Sequence, residues 1–374
     1  MSASSLWKVT MKSMCQETLR YSPSVVVRGP SSFWRRTTSR IASSSTSRRR
    51  SAPISSAAPG GDPLQTCLFR CMTLHRPGPT SQDPAREKTY SRHVTSTLDT
   101  QDPALLASRI RDVLGNGPVL ALTGAGISTD SGIPDYRGPG SPPRKPMTYQ
   151  QFLADHAFRR HYWARNHVGW RHMDRTVCND GHLALAELES SGVVSGIVTQ
   201  NVDTLHEAAG SRHVIDLHGR YDRVLCLECR EVSSRESLAE RLTVLNPNFS
   251  VTVDDIELAP DADAALTSTE GFRVADCASC DGILKPDIVY FGENVPKPRV
   301  LQAYRLVDEA EALLVVGSSL TVFSGRRFVK RAAAQGKPVV ILNRGATRCD
   351  DLAALTVDAG CSSVLRALVK AYRT

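Results

Sequence analysis

The segment Gly124-Ala-Gly-Ile-Ser-Thr-Asp-Ser-Gly-Ile-Pro-Asp-Tyr-Arg137 closely follows an apolar run at Val119 to Leu122. Small residues after a predicted strand are typical of a turn that binds phosphate. Gly124 and Gly126 lack a Cβ, so the backbone can turn tightly there and bring its N–H groups close to a pyrophosphate. The segment therefore predicts a nucleotide-binding turn in an α/β fold.

Residues later in the segment favour a helix but weaken the fingerprint. Ser128 and Thr129 can begin a helix whose positive end favours the anion. Thr129, however, stands where the usual dinucleotide fingerprint has a third small Gly. On spacing alone, a simple tight turn stays open as the alternative.

A basic N-terminal segment accounts for the net charge of +8. Residues 1–60 contain eight Arg, two Lys and one Glu, so the rest of the chain is close to neutral. A leader rich in Ser and Arg is typical of a mitochondrial transit peptide; a disordered basic tail or a nuclear signal is the alternative. We expect a mitochondrial matrix protein that binds no nucleic acid. No apolar run reaches the ~18 residues of a membrane span, so no membrane is expected as a partner.

Residues 51–95 are rich in Pro, Gly, Ser and Thr, and Cys67 and Cys71 lack a metal-binding spacing. We interpret residues 1–95 as a transit peptide followed by a disordered linker.

From about Asp102 onward, short apolar runs alternate with segments of helical periodicity. Strands are predicted at 119–122, 196–199, 214–217, 288–291, 312–316 and 339–342, and helices at 104–114, 183–188, 300–310, 325–334 and 362–371. Such alternation implies a doubly wound parallel sheet whose ligands bind outside the carboxyl ends of the strands.

Two cysteine pairs share the Cys-x-x-Cys spacing: Cys226 with Cys229, and Cys277 with Cys280. Four thiolates within reach of one ion form the closed arrangement of a structural Zn²⁺ site. Redox chemistry, the alternative, would need only one pair. With four protein ligands no coordination position stays open, so the ion would hold structure and not activate water.

These patterns predict an α/β fold, with a Rossmann-like doubly wound parallel sheet and a smaller zinc-binding and helical domain inserted into it. We assign residues 96–140, 182–221 and 284–374 to the nucleotide-binding domain. Residues 141–181 and 222–283 form the predicted small domain.

Polar residues follow two more predicted strands. Thr199-Gln-Asn-Val-Asp203 places amides and a carboxylate where they can hydrogen-bond a ribose or a carboxamide, and His218 follows the next apolar run. A lone histidine after a strand is more often a hydrogen-bonded structural residue than a base. We keep that structural interpretation for His182 and His206.

The chain resembles the sirtuins, because six motifs occur in the order of that family. They are Gly124-Ala-Gly-Ile-Ser128, Thr199-Gln-Asn-Val-Asp203, Leu217-His-Gly219, the two Cys pairs, Lys285-Pro-Asp-Ile-Val-Tyr-Phe-Gly-Glu293 and Gly317-Ser-Ser319. The resemblance runs from about Ala104 to Leu368 and points to the mitochondrial class II branch, whose activities include lipoamidase and ADP-ribosyltransferase reactions.

The resemblance implies an NAD-dependent protein-lysine deacylase. Nicotinamide would leave the ribose C1′ of NAD as the acyl-lysine oxygen attacks, and the acyl group would pass to ADP-ribose. His218 would be the base that deprotonates a ribose hydroxyl, a role that suits an ordinary histidine pKa of about 6.5. Asn201 and Asp203 would be catalytic beside it, ordering the ribose and holding the nicotinamide amide.

The resemblance also implies the rest of the NAD site and one structural zinc ion. The expected cofactor contacts are Gly124, Ala125, Gly126, Ser128, Thr129, Ile133, Asp135, Tyr136, Arg137, Gln200, Asn201, Val202, Asp203, Gly317, Ser318, Ser319, Asn343, Arg344, Gly345 and Cys361. Cys361 would touch adenine through its backbone only.

An extended substrate peptide would pair, main chain to main chain, with Val289, Tyr290, Phe291 and Gly292. The expected partners are acyl-lysine proteins, chiefly mitochondrial metabolic enzymes, with long, branched or lipoyl acyl groups. Tyr162-x-x-Arg165 matches a Tyr-x-x-Arg motif that recognises negatively charged acyl groups in one sirtuin branch. Arg165 could equally be a surface or salt-bridge residue. Ser324 departs from the family, because many members have Pro there; the expected effect is on loop stiffness.

Two other functions stay open. A mitochondrial protein mono-ADP-ribosyltransferase would use the same NAD site. A noncatalytic zinc-ribbon protein that binds nucleic acid would need a basic face near the Cys pairs, but an acidic insert between those pairs, Glu231 to Asp276, offsets the nearby arginines. The insert itself is interpreted as a solvated loop, with a loop that reaches the active-site mouth as the alternative.

Overall fold

The computed structural model describes residues 101–137, 146–249, 266 and 268–373. The transit peptide and linker predicted at residues 1–95 lie outside these ranges, as does the middle of the acidic insert at 250–265. Within the described ranges, no helix is both long and apolar enough to cross a bilayer.

Six strands form a parallel sheet in the order β3-β2-β1-β7-β8-β9. They are β1 Val119–Thr123, β2 Val194–Thr199, β3 Val214–Asp216, β7 Ala312–Val316, β8 Val339–Asn343 and β9 Leu355–Asp358. β1 and β7 are buried along their whole length. Continuous apolar strands of this kind suit a parallel sheet that is covered on both faces.

Helices cover both faces of this sheet. The helices of the described chain are α1 Pro103–Leu114, α2 Tyr149–Ala154, α3 His156–Arg175, α4 Asp180–Ser190, α5 Leu205–Ala208, α6 Arg235–Leu245, α7 Lys297–Glu309, α8 Phe323–Ala334 and α9 Cys361–Arg373. One apolar cluster joins α1, α4 and α9 to the sheet, and a second joins α7 and α8 to it. The predicted Rossmann-like, doubly wound architecture is confirmed.

Local sequence signals set the ends of these helices. The Asp102 side chain accepts the Ala104 N–H at 3.0 Å, and Pro103 occupies the first turn of α1, where its missing N–H costs nothing. Asn179 caps α4 in the same way, because its side chain accepts the Gly181 N–H at 2.8 Å. Both helices therefore begin where a short polar side chain satisfies an otherwise orphan donor.

A second sheet has three antiparallel strands in the order β5-β4-β6. These strands are β4 Gly219–Cys226, β5 Val232–Ser234 and β6 Leu284–Ile288. Its core packs aromatic residues of α2 and α3 against Cys226 and Cys277. The sequence boundaries assigned to the small domain stay a prediction.

Two predictions of local structure were wrong. The apolar run at 288–291 was expected to form a strand of the parallel sheet. Instead, β6 ends at Ile288 and pairs antiparallel with β4. The helix expected at Ser128 and Thr129 is replaced by two short 3₁₀ turns, Ala125–Ile127 and Thr129–Ser131. Gly132 ends the second turn in the left-handed conformation, with φ of 87°.

Candidate active site

A cleft of about 700 Å³ is lined by the segments that follow β1, β2, β7 and β8. This volume lies in the usual range of ligand sites, about 300–1,000 Å³. Predicted residues that line it are Gly124, Ala125, Gly126, Ser128, Ile133, Asp135, Tyr136, Arg137, Gln200, Asn201, Val202, Asp203, His218, Val289, Tyr290, Phe291, Gly292, Gly317, Ser318, Ser319, Asn343, Arg344 and Gly345. The carboxyl edge of the parallel sheet thus gathers most of the predicted cofactor residues, and the segment that follows Leu284–Ile288 of a second sheet adds Val289 to Gly292.

The glycine turn after β1 packs against the end of β7. Gly126 N–H donates to Gly317 O at 2.8 Å, and a Cβ on Gly126 would lie only 2.8 Å from Gly317 Cα. Gly124 N–H donates to Val316 O at 3.0 Å. These two N–H groups are therefore engaged within the protein, and contact between the turn and a pyrophosphate stays a prediction. The glycines allow two strand ends to approach closely.

Three polar side chains beside this turn are bonded to one another. Ser128 Oγ donates to Asp203 Oδ2 at 2.7 Å, and Asn201 Nδ2 donates to Ser128 Oγ at 3.0 Å. Asp203 is 4% exposed, and burial raises the pKa of its carboxyl, while hydrogen bonds from Ser128 and the Leu205 N–H act against that rise. These bonds fix both predicted catalytic side chains, Asn201 and Asp203, in the cleft wall.

Two buried histidines lie behind this network. His206 Nε2 is 2.9 Å from Thr123 Oγ1, and His182 Nε2 is 3.4 Å from Ser128 Oγ. Burial lowers the pKa of His182 to about 3 and that of His206 well below its ordinary value. Neither histidine lines the cleft, which agrees with their structural interpretation.

His218 lies in the cleft wall with both ring nitrogens engaged. Its Nδ1 is 2.8 Å from Gln200 O, so Nδ1 carries the proton and donates. Its Nε2 is therefore the accepting nitrogen, and Ser324 Oγ lies 2.7 Å from it. Burial lowers the pKa of His218 to about 4, below the ordinary histidine value of about 6.5. At neutral pH the ring is uncharged and can accept a proton.

The predicted substrate segment after β6 is held by its own chain. Val289 N–H donates to His218 O at 2.7 Å, and Tyr149 N–H donates to Phe291 O at 2.9 Å. The Tyr136 ring meets the Phe291 ring edge-on, with centroids 6.0 Å apart. The nucleotide side and the substrate side of the cleft therefore touch at these two rings.

A partly buried ion pair stabilises the same segment. Lys285 Nζ lies 3.2 Å from Glu293 Oε2 and also donates to Ile288 O. Glu293 accepts the Tyr290 N–H at 2.9 Å. The strand end, the segment and the residue that follows it are thereby tied together.

Serine and glutamine side chains connect the ends of β1, β2 and β7. Gln200 Nε2 donates to Ser318 Oγ at 2.8 Å and to Thr123 O at 3.1 Å. Leu320, two residues further on, has a left-handed backbone with φ of 53°. A branched residue in that conformation costs about 1–2 kcal/mol, and such strain is concentrated at functional sites.

Three predicted cofactor contacts lie outside the cleft wall or have side chains bonded within the chain, and their contacts with the cofactor stay predictions. Thr129 does not line the cleft; its Oγ1 donates to Gly126 O at 3.1 Å. Cys361 also lies outside the cleft wall, in the apolar cluster that packs on the sheet, where burial raises the pKa of its thiol to about 12. Asn343 lines the cleft, but its Nδ2 donates to the backbone oxygens of the two residues that follow it.

The structure adds cleft residues that sequence reasoning missed. They are Met147, Ile288, Glu293, Asn294, Val295, Leu320, Thr321, Val322, Phe323, Ser324, Arg327 and Ala346. The departure at Ser324 was the available signal, but it indicated only a change in loop stiffness. Tyr162 and Arg165 are absent from the lining. Tyr162 is buried against Phe152 and Tyr290, so the acidic-acyl hypothesis has no support from this placement.

The four predicted zinc ligands converge at the end of β4 and before β6. All four sulfur atoms lie within 4.8 Å of one another. Arg230 and Asp281, each directly after the second cysteine of a pair, have left-handed φ values of 64° and 56°. Four converging thiols on two matching turns fit one structural Zn²⁺.

Comparisons with known proteins agree with this geometry. The sequence model of the Sir2 family matches residues 124–324. An NAD-dependent protein deacetylase 1 of Mycobacterium avium is 60% identical over 271 residues, which cover 72% of this chain and 94% of that protein. The mitochondrial NAD-dependent protein lipoamidase sirtuin-4 of Homo sapiens is 41% identical and covers 81% of this chain and 92% of its own. A solved structure of Sir2 with a p53 peptide and NAD⁺ is 30% identical, with a TM-score of 0.53, and covers 70% of this chain and 96% of that one.

Proposed function

Because this chain belongs to the Sir2 family and is an NAD-dependent protein deacylase, we propose that His218 is its catalytic base and that the surrounding cleft transfers acyl groups from lysine to ADP-ribose. The observation that carries this assignment is the hydrogen bond from His218 Nδ1 to Gln200 O, which leaves Nε2 as the proton acceptor within the cleft. A positioned base of this kind contributes about 10²- to 10⁴-fold to a rate.

The neighbouring residues have complementary roles in this proposal. Bound NAD supplies the ribose carbon that accepts the acyl oxygen and the nicotinamide that leaves. Asn201 and Asp203 orient the ribose and the nicotinamide amide, because their mutual bonds through Ser128 fix them in the cleft wall. His218 then takes the proton of a ribose hydroxyl. Its depressed pKa keeps it uncharged and ready to accept at neutral pH.

The substrate lies, in this proposal, along Val289 to Gly292. These residues line the cleft, and the Lys285 to Glu293 ion pair keeps their backbone in place. The acyl group would be long, branched or lipoyl. Support for that preference comes from the relatives named as lipoamidases and from apolar cleft residues such as Met147, Ile288 and Val322.

We also propose a mitochondrial location. The Arg-rich leader supports it, and two relatives at 41–42% identity are named as mitochondrial proteins. Other similar relatives are enzymes of bacteria, and bacteria have no mitochondria. A fusion of residues 1–95 to a fluorescent protein tests the leader directly: import into mitochondria is expected, and a diffuse or nuclear signal would refute it.

A zinc-ribbon protein that binds nucleic acid is less well supported. Arg220, which would contribute to a basic face, is bonded to Asp216, Asp222 and Glu207. An ADP-ribosyltransferase activity would share the whole NAD site, so the same assay must detect it.

The test uses the full chain with NAD and a panel of acetyl, lipoyl, glutaryl and 3-hydroxy-3-methylglutaryl lysine peptides. We expect nicotinamide release that depends on peptide, with deacylated lysine and acyl-ADP-ribose identified by mass. His218→Gln should lower the formation of deacylated lysine and acyl-ADP-ribose about 10²- to 10⁴-fold, whereas His213→Gln, at an exposed histidine paired with Glu189, should not. Protein-bound ADP-ribose without deacylation would favour the transferase instead.

A further inference from the structure

Ser324 lies in the first turn of α8 and contacts the accepting nitrogen of the proposed base. Its Oγ is 2.7 Å from His218 Nε2. Because His218 Nδ1 donates its proton to Gln200 O, Nε2 has no hydrogen in the neutral ring. The Ser324 hydroxyl must therefore be the donor in this bond.

We infer that Ser324 is a positioning residue that keeps the base occupied until a ribose hydroxyl of the substrate displaces it. The inference rests on the proposed function of the cleft. A neutral imidazole offers one lone pair at Nε2, so one strong donor excludes another. The ribose hydroxyl can reach the base only when the Ser324 bond is broken.

The backbone beside Ser324 explains how the contact is reached. Gly325 follows it, and a Cβ there would lie only 2.4 Å from Gln200 Oε1. Gln200 is itself fixed by its bonds to Ser318 and Thr123. Gly325 therefore allows the first turn of α8 to approach Gln200 closely, and that approach places the adjacent hydroxyl on the ring.

The charged groups around the ring make a neutral partner suitable. Arg299 of α7 and Arg327 of α8 both oppose protonation of His218, while Asp287 lies 3.9 Å from Arg299 and partly balances it. A hydroxyl adds no charge to this setting. Ser324 therefore acts by occupying Nε2 and not by changing the electrostatic field.

Two other roles of Ser324 predict different effects on the reaction rate when its hydroxyl is removed. A serine that relays the proton from the ribose to His218 would slow the reaction when removed. A purely structural serine would affect folding but not the reactivity of the ring. Removal of a competitor instead makes Nε2 more reactive and speeds the step that uses it.

The first test measures the reactivity of the His218 ring nitrogen in the absence of NAD and peptide. Diethyl pyrocarbonate acylates the unprotonated nitrogen of a neutral imidazole, and peptide mass mapping reports the rate at His218. We expect Ser324→Ala to raise this rate about two- to tenfold, the range of one net hydrogen bond. Ser324→Thr keeps a hydroxyl and should react like the parent, whereas Ser324→Val, which is isosteric with the threonine variant but has no hydroxyl, should react like the alanine variant.

The second test measures turnover of acyl peptide with saturating NAD. We expect Ser324→Ala and Ser324→Val to raise kcat about two- to tenfold, and Ser324→Thr to stay near the parent. A lower kcat in the variants without a hydroxyl would overturn the inference in favour of a relay. Equal reagent rates in all four proteins would overturn it in favour of a structural contact.

The two tests separate this inference from the proposed function. If the parent protein has no deacylase activity, the proposed function fails, while the reagent rates still decide the role of Ser324. If deacylation proceeds but removal of the hydroxyl changes neither rate, only the inference fails. Melting temperatures of the variants show whether each is folded under the assay conditions.

Discussion

The cleft and the cysteine cluster use polar atoms in opposite ways. In the cleft wall, Ser128, Asn201 and Asp203 are bonded to one another, so the arrangement is complete within the protein. In the cluster, four thiols point at one another within 4.8 Å and are stabilised only when an ion joins them. A change in the cleft should therefore cost chemistry first, whereas a change in the cluster should cost the fold.

The largest effect is expected at the cluster. Cys280→Ser removes one of four ligands and should reduce bound zinc from one ion to none, measured by atomic emission. Structural zinc sites contribute about 10 kcal/mol or more in small domains, so β4 to β6 should become sensitive to protease. Cys178→Ser, at a cysteine outside the cluster, should keep its zinc. A fully folded, zinc-free Cys280→Ser protein would contradict this contrast.

A smaller effect is expected from acid on the buried histidines behind the cleft. His182 has a pKa of about 3, against about 6.5 in the unfolded chain, so protons bind the unfolded state first as pH falls. The stability that neutral His182 provides is complete above pH ~6.5 and should fall by about 2 kcal/mol by pH 5.

Comparison with a variant isolates this histidine from the cysteines, which also respond to acid. His182 is the third residue of α4 and takes part in its capping box with Asn179. Glutamine also suits that position, so His182→Gln keeps the cap but cannot titrate. Urea unfolding at pH 7 and pH 5 should show a smaller loss of stability in the variant than in the parent. Parallel losses would show that His182 does not contribute.

An effect of similar size on stability is expected within the cleft wall. Ser128→Ala removes the donor to the buried Asp203 carboxylate and should cost about 1–3 kcal/mol of unfolding free energy. It should also weaken NAD binding, measured by calorimetry, because Asp203 and Asn201 lose their common partner. Ser190→Ala, at an exposed serine of α4, should change neither quantity. Unchanged NAD affinity in Ser128→Ala would show that the hydrogen bonds of Ser128 do not support NAD binding.

The sequence predicted the parts of this molecule that depend on short-range patterns. The apolar composition of the runs that form β1, β7 and β8 predicted that these strands are buried. The spacing of the cysteine pairs predicted that the four thiols converge. Parallel strands gather their carboxyl ends at one edge, which placed the motifs that follow the strands near one another, and the resemblance to the sirtuins supplied most of the candidate site residues.

The errors came from partners that are distant in sequence. The run at 288–291 reads as a strand, but only pairing with β4 decides which sheet it joins. The close approach of Gly317 to the turn at Gly124 and Gly126 could not be predicted from the residues that neighbour the turn in sequence. Ser324 lies 106 residues from His218, so its hydroxyl contact is visible only in the fold.

The most direct test of the central claim separates the two halves of the reaction in His218→Gln. Loss of nicotinamide precedes the proton transfer assigned to His218, so exchange of labelled nicotinamide into NAD, in the presence of acyl peptide, should persist. Formation of deacylated peptide should fall about 10²- to 10⁴-fold in the same protein. Deacylation at the parent rate, or loss of exchange in a folded variant that still binds NAD, would contradict the assignment of His218 as the base.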